Sequence, residues 1–122
     1  MTDHIKTAPV KPNITIDDLD KIDIRVGTIV LVEDVEKSKK LIKMTVDFGD
    51  FTRTILSGMK EEREDPKAEI EGKQALFVVN MAPRKMAGEV SEGMIYDIGY
   101  EDGIVPVLAV PESEVPNGVR LG

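Results

Sequence analysis

Two short basic groups are the residues here whose type and spacing could do chemistry. Lys37, Lys39 and Lys40 fall within four positions, with Lys43 just behind, and Arg84-Lys85 occupies a proline-containing stretch further on. Ammonium and guanidinium groups at that density neutralise phosphate oxygens, and a basic pair on a loop between two strands is well placed to face a groove. A lysine run is equally the ordinary covering of a solvated surface, so spacing alone leaves both readings open.

The rest of the inventory is thin. There is no Cys, hence no disulfide framework and no thiolate metal site, and the single His stands at position 4. No Ser sits in an elbow motif, so neither nucleophilic nor zinc chemistry has its usual groups. Glu61, Glu62, Glu64 and Asp65 bring carboxylates together, but beside a helix start they read as a solvated face and a partner for the helix dipole. Neither an enzyme nor a cofactor or metal ion is expected. Met1 to Pro12 lacks the apolar stretch of a signal peptide, and no window has the ~18 apolar residues of a membrane span, so the chain is expected to be cytoplasmic.

Charge limits the possible partners. Sixteen Lys plus Arg against 23 Asp plus Glu give −7, which excludes a general polyanion binder of the basic-arm kind. Contact with nucleic acid has to come from a local patch. The positive residues gather at Lys37 to Lys43 and Arg84-Lys85, whereas the negative excess lies near the first helix, at Glu61 to Glu71 and at Glu89 to Glu114.

A length of 122 residues, with 41% apolar, suits one packed domain. We expect a loosely held leader over residues 1–13 and a domain over 14–122. Thr15, three positions before Asp18, has capping-box spacing and predicts a short helix over Ile16 to Lys21. Ile22 to Val32 is β-branched and alternating, with Gly27 marking a bulge or bend. Ile42, Met44, Val46 and Phe48 alternate with polar neighbours, and Gly49-Asp50 leads into Phe51 to Leu56 as a hairpin. A two-residue turn there would put Arg53 on the face of Val46 and Phe48, so a longer turn or a bulge is expected. Asp65-Pro66 starts a helix over Pro66 to Glu71, and Gly72 stops it. Gln74 to Asn80 reads as a buried strand, Met81 to Glu92 as a loop, and Met94 to Ile98 and Ile104 to Val110 as strands, the last irregular at Pro106. Pro116-Asn117-Gly118 is a turn before one short pairing over Val119 to Leu121. Such a series is all-β, and an OB barrel leads because it places its helix between strands 3 and 4; an SH3-like barrel or a small sandwich are the alternatives.

The motifs Asp23-Ile24-Arg25-Val26-Gly27-Thr28-Ile29, Lys40-Leu41, Val46-Asp47-Phe48-Gly49-Asp50, Arg53-Thr54 and Ser57-Gly58, followed by Val79-Asn80-Met81-Ala82-Pro83-Arg84-Lys85-Met86-Ala87-Gly88 and Ser91-Glu92-Gly93-Met94, resemble the tRNA-binding domain family. They occur in order across Ile16 to Leu121. The resemblance implies a five-stranded OB barrel with a short helix between strands 3 and 4 and added terminal elements. It also implies tRNA as partner, association with methionyl-tRNA synthetase as or like its beta subunit, and a homodimer. By similarity the tRNA-contacting positions are Lys40, Asn80, Arg84, Lys85, Ser91, Gly93 and Met94. Lys39 joins them, because it stands where many members carry an acid and adds positive charge. Chaperone-like relatives of the same fold lack the Gly-Met kept at Gly93-Met94, yet the tail Val115-Pro116-Asn117-Gly118 is similar to theirs, so binding of unfolded or presecretory polypeptide is the alternative function. Only five aromatic residues are present, mostly at apolar strand positions, which favours recognition of folded RNA by shape and backbone over stacking on single strands.

Overall fold

A computed structural model describes residues 5–122. His4 and the first part of the expected leader lie outside the described residues. Residues 5–15 carry no helix or strand, and the first element is α1 (Ile16–Leu19). Its capping box is complete: Asp18 N donates to Thr15 Oγ1 and Thr15 N donates to Asp18 Oδ2, both at 3.2 Å. None of its residues is buried.

The chain then winds a barrel from β1 (Ile24–Asp34), β2 (Ile42–Asp47), β3 (Thr52–Ser57), α2 (Pro66–Ile70) and β4 (Gln74–Val78). A small hairpin follows, β5 (Arg84–Met86) and β6 (Glu89–Ser91), and then β7 (Met94–Ile95), β8 (Asp97–Ile98) and β9 (Val107–Leu108). The five-stranded sheet runs β3-β2-β1-β4-β7 with antiparallel neighbours, and α2 lies between strands 3 and 4, as an OB barrel requires.

β1 serves both sides of this sheet. Ile24 to Thr28 pair with β4 and Thr28 to Asp34 with β2, and the extra residue, Val30, sits between the Ile29↔Val46 and Leu31↔Thr45 pairs. The bulge is therefore three positions beyond Gly27. Gly27 instead makes room for the core with its bare backbone, because a Cβ there would lie 2.6 Å from Val46 Cγ1 and 2.8 Å from Phe48 Cε1. That core is built from Ile29, Ile42, Met44, Val46, Phe48, Ile55 and Phe77, with Phe48 and Phe77 edge to face at 5.4 Å. α2 adds the fully buried Ile70, after a start capped by the Asp65 carboxylate, which accepts from Ala68 N at 3.2 Å.

Three expectations are corrected. The β2–β3 turn is two residues after all: Phe48 N donates to Phe51 O at 2.9 Å, Gly49 takes φ +94, and Arg53 stands opposite Val46. Arg53 is tolerated on that face because Nη1 donates to Val79 O and Glu92 O at 3.1 and 3.0 Å, while the guanidinium lies 5.1 Å from the Phe51 ring centre. Second, part of the expected loop 81–92 is the β5–β6 hairpin, turning at Ala87 and Gly88 with φ +49 and +82. Third, the expected strand Met94 to Ile98 divides: β7 joins the barrel against β4, whereas β8 pairs with β9, the remnant of Ile104 to Val110 after Pro106. The tail does pair, with Val26 N donating to Val119 O and Leu121 N to Ile24 O. No described helix is long and apolar enough to cross a membrane.

Gly27→Ala should overpack this core and lower the unfolding free energy by ~1–3 kcal/mol. A reduced urea midpoint with an unchanged slope is the expected reading.

Candidate nucleic-acid interface

The lysine-bearing loop 35–41 has a well-anchored backbone. Val35 is buried at one end. Ser38 turns the chain, its Oγ accepting from Lys40 N at 3.1 Å and Leu41 N at 3.0 Å. Lys60 holds it from below, donating from Nζ to Ser38 O at 3.0 Å, pairing with Asp34 at 3.5 Å and donating from its backbone N to Lys40 O. With the main chain tied down, Lys37, Lys39 and Lys40 are left exposed.

The β5–β6 hairpin meets this loop at its tip. Lys37 lies against Gly88, where a Cβ would stand 3.7 Å from Lys37 Cδ, and Lys43 Nζ pairs with Glu89 Oε1 at 3.6 Å. The register pairs Arg84 with Ser91, Lys85 with Val90 and Met86 with Glu89. Arg84 and Met86 thus share one face while Lys85 shares the other with the exposed Val90. The basic pair diverges rather than forming one patch.

Arg84 borders a cleft of about 210 Å³ between the hairpin and the barrel, lined also by Leu56, Met81, Met86, Ser91, Gly93 and Met94. Four of the expected site residues, Arg84, Ser91, Gly93 and Met94, therefore converge, but they do different things there. Ser91 is buried, and its hydroxyl accepts from Leu56 N and donates to Gly93 O, both at 3.1 Å, so these hydrogen bonds are made within the protein. Gly93 permits a close approach of its own backbone: a Cβ would lie 2.8 Å from Val78 O. Asn80 accepts from Asp23 N at 2.9 Å and donates to Lys21 O at 2.6 Å, fastening the end of β4 to the entry of β1. Met94 is 41% exposed and Met81 43%, whereas Met44 and Met59 belong to the core. Sequence reasoning missed Met81 and Met86 as cleft residues, because apolar side chains in a loop carry no periodic signal.

Charge pairing sharpens the picture. Lys21, Arg25, Lys43, Lys60, Arg63 and Lys67 each hold a carboxylate. Lys37, Lys39, Lys40, Arg84 and Lys85 take part in no ion pair among the described residues. Lys40 itself lines a cavity of about 610 Å³ together with the carboxylates Glu61, Glu62 and Asp97 and with Tyr100. Burial, with Asp97 as a lesser cause, pushes the Glu62 carboxyl above its ordinary value.

A family model described as "Putative tRNA binding domain" matches residues 24–120. The methionine–tRNA ligase of Bacteroides fragilis is 43% identical over 118 residues, 97% of this chain; the chain spans only 17% of that relative's length. Among solved structures, the MetRS related protein from Pyrococcus horikoshii is similar with a TM-score of 0.83 and 38% identity, covering 92% of this chain and 100% of that one. The CsaA chaperone protein from Picrophilus torridus is similar with a TM-score of 0.76 and 31% identity, covering 90% and 100%.

Two substitutions should separate scaffold from surface in a denaturation titration. Ser91→Ala leaves the buried Leu56 N–H unpartnered and should cost ~1–3 kcal/mol of stability, whereas exposed Arg84→Ala should stay within ~0.5 kcal/mol. Glu62→Gln should be more stable than the parent at neutral pH. Since the folded-state pKa of Glu62 is raised, that advantage should vanish as pH falls below the ordinary carboxylate value and open as pH rises through the raised one.

Proposed function

The chain belongs to the tRNA-binding domain family, and from that membership we propose that it captures tRNA without catalysing a reaction, acting as or like the beta subunit of a methionyl-tRNA synthetase. The observation that carries this reading is the meeting of the 35–41 loop with the β5–β6 hairpin at Lys37 and Gly88, which joins two elements whose exposed cations hold no carboxylate and sets Arg84 at the rim of a cleft. In an OB barrel these are the loops between strands 1 and 2 and between strands 4 and 5, where oligonucleotides are held.

The mechanism is electrostatic and geometric. Lys39 and Lys40 take phosphates at the 35–41 loop, Arg84 takes one at the rim of the cleft, and Lys85 takes one on the other face of the hairpin. A folded RNA has to straddle the hairpin to reach all four, which makes recognition depend on shape. The acidic cavity next to Lys40 repels RNA that approaches misaligned. Capture of this kind raises the local tRNA concentration for a synthetase active site elsewhere. Homodimerisation fits the exposed apolar side chains of the terminal elements, Ile16 (70%) and Leu19 (50%) on α1 and Tyr100 (63%) and Val105 (71%) near the carboxyl end. A second reading, a chaperone-like binder of unfolded polypeptide, draws on the CsaA likeness and the apolar cleft.

In salt titrations, tRNA binding should fall with a log–log slope of about −3 per subunit, four phosphate contacts at ~0.7–0.9 each. Arg84→Ala should weaken binding and flatten the slope by about one contact. No tRNA binding at low salt would sink the proposal, and unfolded polypeptide displacing tRNA from the same sample would favour the second reading. Light scattering at micromolar concentration should give a dimer, and Val105→Glu with Tyr100→Glu should shift it to monomer.

A further inference from the structure

We propose that the methionine-lined cleft beside Arg84 takes a single unstacked nucleobase of the bound RNA. This rests on the RNA-capture reading above and adds a base-binding subsite to it. The chain has six methionines, of which Met1 lies outside the described residues. Met44 and Met59 are fully packed in the core, and the remaining three, Met81, Met86 and Met94, all line this one cleft. They reach it from three separate positions: the end of the β4 connection, the inner face of β5 and the start of β7.

Thioether side chains are unbranched and polarisable, and close well around the faces and edges of aromatic rings. They take the place of a missing platform. Phe48 and Phe77 are buried, Phe51 is half-buried beneath Arg25 and Arg53, Tyr96 is half-buried away from the cleft and Tyr100 belongs to the acidic cavity, so no aromatic ring lines the cleft. About 210 Å³ suits one flat ring and is too small for the face of a peptide helix. The electrostatics choose between a base and an apolar peptide side chain. No carboxylate lines the cleft, Arg84 is unpaired at its rim, and Lys37 stands at the hairpin tip, so a phosphate entering with its base is attracted and a basic peptide is repelled. The one polar side chain inside, Ser91, has both hydrogen-bonding roles filled by the protein. The cleft therefore accepts an unpaired base with little preference for its identity, reading that it is unstacked.

The test uses two RNA probes at low salt: a fully paired stem-loop, and the same stem with one bulged nucleotide carrying 2-aminopurine. The bulged RNA should bind roughly 10-fold tighter, near the upper end of what a sulfur–aromatic contact contributes, with a fluorescence change on binding. Met81→Ala and Met94→Ala alter exposed side chains and should weaken the bulged RNA by a larger factor than the paired one, removing most of the preference between them; Met94→Leu should retain most of that preference. Equal affinity for the two probes, or equal weakening of both by the Met variants, overturns the subsite while leaving phosphate capture intact. Failure of both probes to bind overturns capture and the subsite together. Displacement of the bulged RNA by an unfolded polypeptide whose own binding needs Met81 and Met94 assigns the cleft to protein and overturns the proposal.

Discussion

Closing the barrel between β3 and β7 is the constraint on which the rest depends. β7 contributes only Met94 and Ile95, too little for a ladder along a six-residue strand. Backbone groups at this seam cannot remain unpaired without a cost comparable to a lost hydrogen bond. They are met largely by other means: Glu92 N donates to Thr54 O, Thr54 N to the Glu92 carboxylate, and Leu56 N to Ser91 Oγ. Arg53 spans the same gap to the carbonyls of Val79 and Glu92. Residues 91–93 are thus pinned to β3, and β4 ends at Val78. The intervening chain has to leave the barrel and return, which it does as the β5–β6 hairpin. The seam that closes the barrel also projects Arg84 and Met86 over the cleft.

This separation of duties gives the surface its charge pattern. Paired cations such as Lys60 and Lys43 hold the loop and the hairpin, whereas Lys37, Lys39, Lys40, Arg84 and Lys85, which hold no carboxylate, project from those supports. An excess of seven negative charges is then compatible with phosphate capture, since fields are screened within ~8–10 Å at ordinary ionic strength and nearby cations govern contact.

The fold was legible where local chemistry and tertiary packing agree. Thr15 caps, Pro66 opens α2, and β2 alternates because one face of each strand meets the core. Legibility failed where closure overrides local preference. Arg84-Lys85-Met86 has no apolar alternation, and its turn places Ala87 in a conformation usually given to Gly or Asn, so nothing local announces a hairpin. Arg53 was expected to avoid the face of Val46, but acceptors from Val79 and Glu92, distant in sequence, make that position tenable. Met94 to Ile98 reads as one strand, and its division follows from two different partners, β4 and β9. In the site, the lysines and Arg84 were visible as charge, but the division of Arg84 and Lys85 between the two faces of the hairpin depends on register.

Ser91-Glu92-Gly93-Met94 shows why a motif shared with a family does not by itself identify contacts. Its serine satisfies a β3 amide, its glutamate completes the seam, and its glycine lets the backbone pass close to Val78. Ser91 and Gly93 line the cleft while committed to contacts within the protein, and only the methionine side chain is exposed there. Loss of any of the first three would deform the cleft from beneath, so weakened RNA binding in such variants would follow whether or not those residues touch RNA. The residues free to touch it are those whose side chains hold nothing else inside the protein. By that criterion the interface proposed above would centre on Lys39, Lys40, Arg84 and the outer methionines, with the motif around them as its scaffold.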